Sequence, residues 1–262
     1  MTPAIARLCA LVPIAALSIV SMTAAADRIP ASGGDIEITP FIHSSVQLEH
    51  RGTVVHVDPW SAADLANAKR ADLILVTDDV GHHLDLKAIG QLRKPGAPIV
   101  IPASAKPKIP DGIVLPNGER TTAVGIAVEA IGAYDLSLGE PYHPKGEANG
   151  YVVTLGGKRI YFAGVTECVP EIQALKNIEV AFVPTLLPAG RMQPAAAADC
   201  VKIVRPKVVY PYHYDQPYVA RLTNPKAPAG TPGAIAAGLE AFAGALKGSG
   251  IEVRLANWYP AR

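Results

Sequence analysis

The chain has 262 residues, 24 Lys and Arg against 23 Asp and Glu, and 49% hydrophobic residues. A near-neutral balance with no basic run argues against nucleic acid or an anionic membrane as the partner and leaves small molecules. The length admits one large domain or two small ones, and no Ser/Gly linker or charge block divides it, so one domain over residues 27–262 is expected.

The chain opens with MTPAIARLCALVPIAALSIVSMTAAA. Arg7 supplies a positive start, residues 8–20 are almost wholly apolar, and Ala24-Ala25-Ala26 supplies small residues for cleavage. That is the three-part pattern of a secretory signal peptide. The apolar run is shorter than the roughly 20 residues of a spanning helix. Residues 1–26 are therefore read as a leader, with the mature protein periplasmic or secreted and no membrane partner after processing. Removing the leader takes away Arg7 and leaves 23 acidic residues matched by equal basic ones. Two cysteines remain, Cys168 and Cys200. An oxidising compartment permits them to pair, but two cysteines make no disulfide framework, and sequence leaves open whether they meet.

Strand patterns crowd the first half: DIEITPFI (35–42), SVQLEH (45–50), TVVHVDP (53–59) and LILVT (73–77). Short turns separate the first three, as in an antiparallel meander. SAADLANAKR (61–70) reads as a helix before LILVT, LKAIGQLRK as a helix after the polar stretch TDDVGHHLD, and PIVIPA as a strand. Further strands are expected at IAVEAI (126–131), GYVVTL (150–155) and KRIYFAG (158–164), the last two forming a hairpin through Gly156-Gly157. VPEIQALKN reads as helix, VAFVPTL as strand, QPAAAADCVKIV as helix, KVVYPYH as strand, PGAIAAGLEAFAGALKG as helix and IEVRLANW as a last strand. A meander leading into β-α alternation, twice over, predicts two packed sheets with helices outside.

There are seven histidines. His82, His83 and His213 stand at the ends of strand-like runs, His143 lies in the polar stretch GEPYHPKGEANG, and His43 follows ITPFI. His50 and His56 fall within strand or turn patterns and read as structural. Imidazoles arriving from separate strand ends can converge on a metal ion. Asp85, after HHL, reads as the N-cap of the helix that follows.

The segments HSSVQLEHRGTVVHVDPW, ADLILVTDDVGHHLD, HPKGEANGYVVTLGGKRIYFAGVTE and VVYPYHY, in that order, resemble the metallo-β-lactamase superfamily of metal-dependent hydrolases. The branch most similar holds ascorbate-phosphate lactonase-like and phospholipase D-like proteins, and the match runs from about Asp35 to Tyr214. The resemblance implies an αββα sandwich carrying two metals at one edge of its sheets. The family signature is His-x-His-x-Asp-His, then a separate His, a Gly-Asp-Thr and a final His. Laid over it, Asp78 stands at the first His, Val80 at the second, His82 at the Asp and His83 at the last His. His143 matches the separate His, Val165 replaces the Asp of Gly-Asp-Thr, and His213 matches the final His.

The first metal is thereby left with Asp78 and His143, and the second with His82, His83 and His213. The carboxylate that bridges the two ions is lost at Val165. The resemblance thus implies a degenerate site with one zinc ion or none, the paired centre being absent. Asp78 and His143 are the candidates to orient a substrate or move a proton. Asp79 and Glu167 read as solvated or capping groups. Two functions stay open: hydrolysis of an ester, lactone or phosphodiester at a single-metal site, or a catalytically inactive relative that binds a small molecule. N-terminal sequencing of the exported protein is expected to begin at or near Asp27; an intact Met1 in a membrane fraction would make the leader an anchor.

Overall fold

The computed structural model describes residues 26–140 and 142–255. The proposed leader, and the end of the last expected strand beyond residue 255, lie outside the described residues. Fourteen strands form two sheets of seven. The first sheet holds β1 (Asp27–Ile29), β2 (Ile36–Pro40), β3 (Val46–His50), β4 (Thr53–Val57), β5 (Leu73–Leu75), β6 (Ile99–Ile101) and β7 (Ile113–Val114), in that order. The second holds β8 (Arg120–Ala123), β9 (Ile126–Ala133), β10 (Ala148–Leu155), β11 (Lys158–Phe162), β12 (Ile178–Pro184), β13 (Val208–Tyr212) and β14 (Glu252–Val253), again in order.

Each sheet runs antiparallel for its first four strands and parallel for the rest. The switch follows from the connections. Gly156 and Gly157 turn β10 into β11 in two residues, both at positive φ (50° and 76°), as a tight hairpin requires. Parallel neighbours need longer crossovers. These contain α1 (Leu86–Leu92), α2 (Pro170–Gln173), α3 (Pro194–Val204), α4 (Gln216–Thr223) and α5 (Ala234–Ala245).

The period of two along the central strands places the layers. In β5, Leu73 and Leu75 enter the cluster between the sheets, while Ile74 and the following Val76 join Ile89 of α1 on the outer face. Val100 of β6 points inward, and Ile99 and Ile101 point outward. On the second sheet, Ala197, Ala198, Cys200, Val201 and Val204 of α3 pack into the main core. Strands buried on both faces between helix and sheet give the expected α/β sandwich. Each fully buried Leu, Ile or Val contributes about 1.5–3 kcal/mol of transfer free energy.

Three expectations need correction. Residues 61–70 form turns, not a helix, because side chains from elsewhere take their backbone groups. Asp85 accepts from Ser61 N (2.8 Å), Gln47 accepts from Lys69 N (2.8 Å), and His56 Nε2 donates to Lys69 O (2.8 Å). Within VPEIQALKN only Pro170–Gln173 is helical. The helix α4 was not anticipated at all. The N-cap reading holds: Asp85 accepts from Lys87 N and Ala88 N. His50 and His56 are structural, each bonded to a backbone carbonyl away from the other histidines.

Cys168 and Cys200 form a disulfide across 32 residues, joining the segment after β11 to α3. Chain-entropy arguments put the stabilisation from a loop of that length at about 3–4 kcal/mol. The Cys168→Ser/Cys200→Ser double variant is expected to lose about that much in denaturant unfolding. A loss under about 1 kcal/mol would show that the reduced chain is already constrained there.

Candidate metal centre

The strands that lead into the site residues end at one edge of the sandwich. β2 leads into His43, β4 into Asp58, β5 into the loop with Asp78, His82 and His83, β9 into Asp135, and β13 into His213. Parallel strands present their C-terminal ends together, and β2 and β9, two antiparallel steps away, share that direction. Three of these residues sit at positive φ: His43 (59°), Asp58 (45°) and His213 (55°). His and Asp tolerate this region better than most residues, and strain of this kind concentrates at functional sites. The turns aim the side chains back over the sheet edge.

His43, His82, His83 and His213 come together so that one ring nitrogen from each lies within 4.8 Å of the others. Three of them are held from behind. His83 Nδ1 donates to Asp58 Oδ2 at 2.6 Å, with both side chains fully buried. Asp58 also accepts from Thr77 N (2.8 Å) and Thr77 Oγ1 (2.6 Å). His43 Nδ1 donates to Asp215 Oδ1 at 2.6 Å, and His213 Nδ1 lies 3.2 Å from the Gln216 amide. Backbone joins two of the turns, since His213 N donates to His43 O at 3.1 Å. Trp60 lies 6.1 Å from both His43 and His82, measured between ring centres.

The inward atoms are short of partners. His43 Nε2 is buried with no hydrogen-bond partner, and His83 Nε2 faces His213 Nε2 at 3.1 Å. Without a cation, one of these two rings must donate an N–H to the other; a metal ion would take both lone pairs. A tetrahedral ion with bonds of about 2.0–2.1 Å sets its nitrogens about 3.3 Å apart, so the spacing fits a metal. Protonation also suits ligation, which needs neutral imidazole. Burial, then the neighbouring His83 and His43, pushes His82 down to about 2. Burial and the other three imidazoles push His213 well below its ordinary value. Burial likewise lowers His43, outweighing the pull of Asp215. His83 is the exception: burial opposes its charge, but Asp58 outweighs that and raises it.

A second, smaller constellation adjoins the first. His143 Nε2 faces Asp78 Oδ2 at 3.8 Å, and that oxygen is buried without a hydrogen-bond partner. His143 Nδ1 and N donate to Asp135 Oδ2, each at 2.9 Å, and Arg191 pairs with the same carboxylate. Burial works against the charge on Asp135, but the His143 and Arg191 bonds hold its carboxyl below the usual range. The structure thus brings together the expected His82, His83 and His213, and separately the expected Asp78 and His143. Asp78 and His143 stand beside the four-histidine group, not within it.

Sequence reasoning passed over His43, Asp215, Asp135 and Arg191. Only the position of His43 after a strand hinted at it. Val80 is half-buried, and Val165 is buried in the core between the sheets. Asp79 pairs with Lys108. Glu167 accepts from Leu136 N (2.7 Å) and Ser137 N (2.6 Å), capping the loop that starts at Asp135.

The sequence pattern of the beta-lactamase superfamily domain matches residues 37–213. A UPF0173 metal-dependent hydrolase from Pyrobaculum islandicum is 31% identical over 199 residues, 69% of this chain and 84% of the relative. One from Aeropyrum pernix is 29% identical over 193 residues, 66% of this chain and 79% of the relative. Among solved structures, a protein from Parabacteroides distasonis named as a metal-dependent hydrolase superposes with a TM-score of 0.76 at 34% identity, covering 89% of this chain and 99% of its own. Igni18, a metallo hydrolase from Ignicoccus hospitalis, shares the fold at 22% identity and a TM-score of 0.64, covering 84% of this chain and 94% of its own.

The chain belongs to the beta-lactamase superfamily, in the branch of metal-dependent hydrolases. The histidine cluster and these relatives together point to a metal cofactor.

Asp58 fixes both the orientation and the tautomer of His83, and loss of such a partner typically weakens metal binding by about 10–100-fold. Asp58→Asn is expected to do so in zinc titrations in metal-buffered solution. An unchanged affinity would mean that His83 is not a ligand.

Proposed function

We propose that the protein is an exported hydrolase that uses one zinc ion, held in the histidine cluster, to cleave an ester, lactone or phosphodiester. The observation that carries this reading is the convergence of four imidazoles, three of them anchored at the outer nitrogen. When bound in such a set, zinc lowers the pKa of water to about 7 and polarises a carbonyl or phosphoryl oxygen. The remaining chemistry falls to side chains. Asp78 Oδ2, buried and unpartnered, is the group placed to accept a proton at the edge of the cluster. His143, held by Asp135 at Nδ1, presents Nε2 on the same side and would orient or protonate a substrate oxygen.

A single ion is favoured over a pair by chemistry. Val80 and Val165 supply no donor where the family has an imidazole and a bridging carboxylate. Two close divalent ions repel, and without a bridging anion little offsets that repulsion. Export is supported by the leader pattern and by the Cys168–Cys200 disulfide, since such bonds persist in oxidising compartments. The same two valines also favour a second reading, a binding module that has lost catalysis.

Protein purified without chelator is expected to carry one equivalent of zinc or less and to hydrolyse bis(p-nitrophenyl) phosphate or a simple lactone. Asp78→Ala and His143→Ala should each lower kcat by about 100-fold or more with zinc content unchanged. Two tightly held equivalents would overturn the single-ion site. Zinc at full occupancy with no turnover of phosphodiester, ester or lactone would favour the binding module.

A further inference from the structure

The four imidazoles are not equivalent, and we propose that His43, His83 and His213 are the fixed ligands of the ion while His82 is a displaceable fourth. The inference rests on the reading of the cluster as a metal centre. It changes the ligand set that the family signature implies, in which His82 stands among the three and His43 has no place.

Anchoring separates the two kinds. His43 and His83 each donate Nδ1–H to a buried carboxylate, Asp215 and Asp58, at 2.6 Å. That bond selects the Nδ1–H tautomer and leaves the Nε2 lone pair facing the cluster. For His43 that lone pair is the buried atom without a partner. His213 is fully buried and tied through its backbone to His43, and the Gln216 amide behind its Nδ1, turned so that its oxygen accepts, would leave Nε2 as the ligand atom. His82 has none of this. Neither of its ring nitrogens finds a hydrogen-bond partner among the described residues, and it alone of the four is half-buried. Its ring stands edge-on to His43, with centres 4.8 Å apart, and 4.7 Å from the ring of His83.

Coordination chemistry gives the asymmetry a consequence. Four imidazoles complete a tetrahedral shell, which is the mark of a structural zinc site, while a catalytic site keeps three protein ligands and one open position. A ligand with no outer partner loses no second hydrogen bond when it turns away, so His82 is the one whose release costs least. The centre is then closed at rest and opens toward solvent by rotation of a single side chain. His43, buried and bonded to Asp215, has no comparable freedom.

The test uses the full mature protein, titrated with zinc in metal-buffered solution, and its cobalt(II) form, whose visible absorption reports coordination. His82→Ala is expected to bind zinc within about tenfold of the unsubstituted protein, with a changed cobalt(II) spectrum. His43→Ala is expected to lose about 100-fold or more, comparable to His83→Ala and His213→Ala. Asp215→Asn, which keeps all four imidazoles, is expected to lose about 10–100-fold and serves as the second variant if His43→Ala does not fold. Equal losses at all four histidines, or a large loss in His82→Ala with His43→Ala and Asp215→Asn unaffected, would overturn the assignment. If the unsubstituted protein binds neither zinc nor cobalt(II), the metal-centre reading itself fails.

Discussion

The buried contact between Asp58 and His83 is the constraint on which the site depends. Both side chains are withdrawn from water, so neither tolerates the loss of the other. Removing one partner of such a pair leaves an uncompensated polar or charged group and typically costs about 3–5 kcal/mol. The contact spans from the end of β4 to the loop after β5, and Thr77 adds two more bonds to the same carboxylate. It therefore sets how the loop 77–85 folds back over the sheet edge. With that loop in place, His83 reaches His213 of the other sheet. Asp58 thus acts, from behind His83, on a contact between the two sheets.

A charge argument joins the outer ring to the inner one. Asp58 and Asp215 place two carboxylates immediately behind four imidazoles, three of which the surroundings hold neutral. A divalent cation held among the imidazoles would balance that pair of negative charges. The family signature puts carboxylates on the metals themselves. Here Val165 replaces one and His82 stands at the other, and the negative charge sits one shell further out. An all-imidazole inner set suits zinc, copper, nickel or iron better than magnesium or calcium, which prefer oxygen ligands.

Much of the architecture was legible along the chain. Period-two apolar runs marked the central strands, and the Gly156-Gly157 turn marked the hairpin, because these signals are local. The helix expected over residues 61–70 shows where local signals stop. Its backbone groups are claimed by Asp85, Gln47 and His56, and no propensity along the segment announces that competition. His82, His83, His143 and His213 were found because their places in a spaced signature survive even where neighbouring ligands do not. His43 was passed over because its relevance comes from a turn at positive φ that swings it toward a strand 170 residues away in sequence. The Cys168–Cys200 bond belongs with it, being a meeting of two segments that share no local pattern.

By itself, the sequence determined that two sheets pack with helices outside and which residues stand at the ends of the main strands, since hydrophobic period and turn chemistry act over a few neighbours. Only the tertiary structure decided which of those residues share a site and which of them are held rigidly. Four imidazoles meet because two sheets pack face to face and turns at positive φ, at His43, Asp58 and His213, lie at one edge of the sandwich. Their ranking as ligands depends on what lies behind each ring, on Asp215, Asp58 and Gln216, and on the lack of a hydrogen-bond partner for His82 among the described residues. Those are distances between segments far apart along the chain, and packing alone sets them.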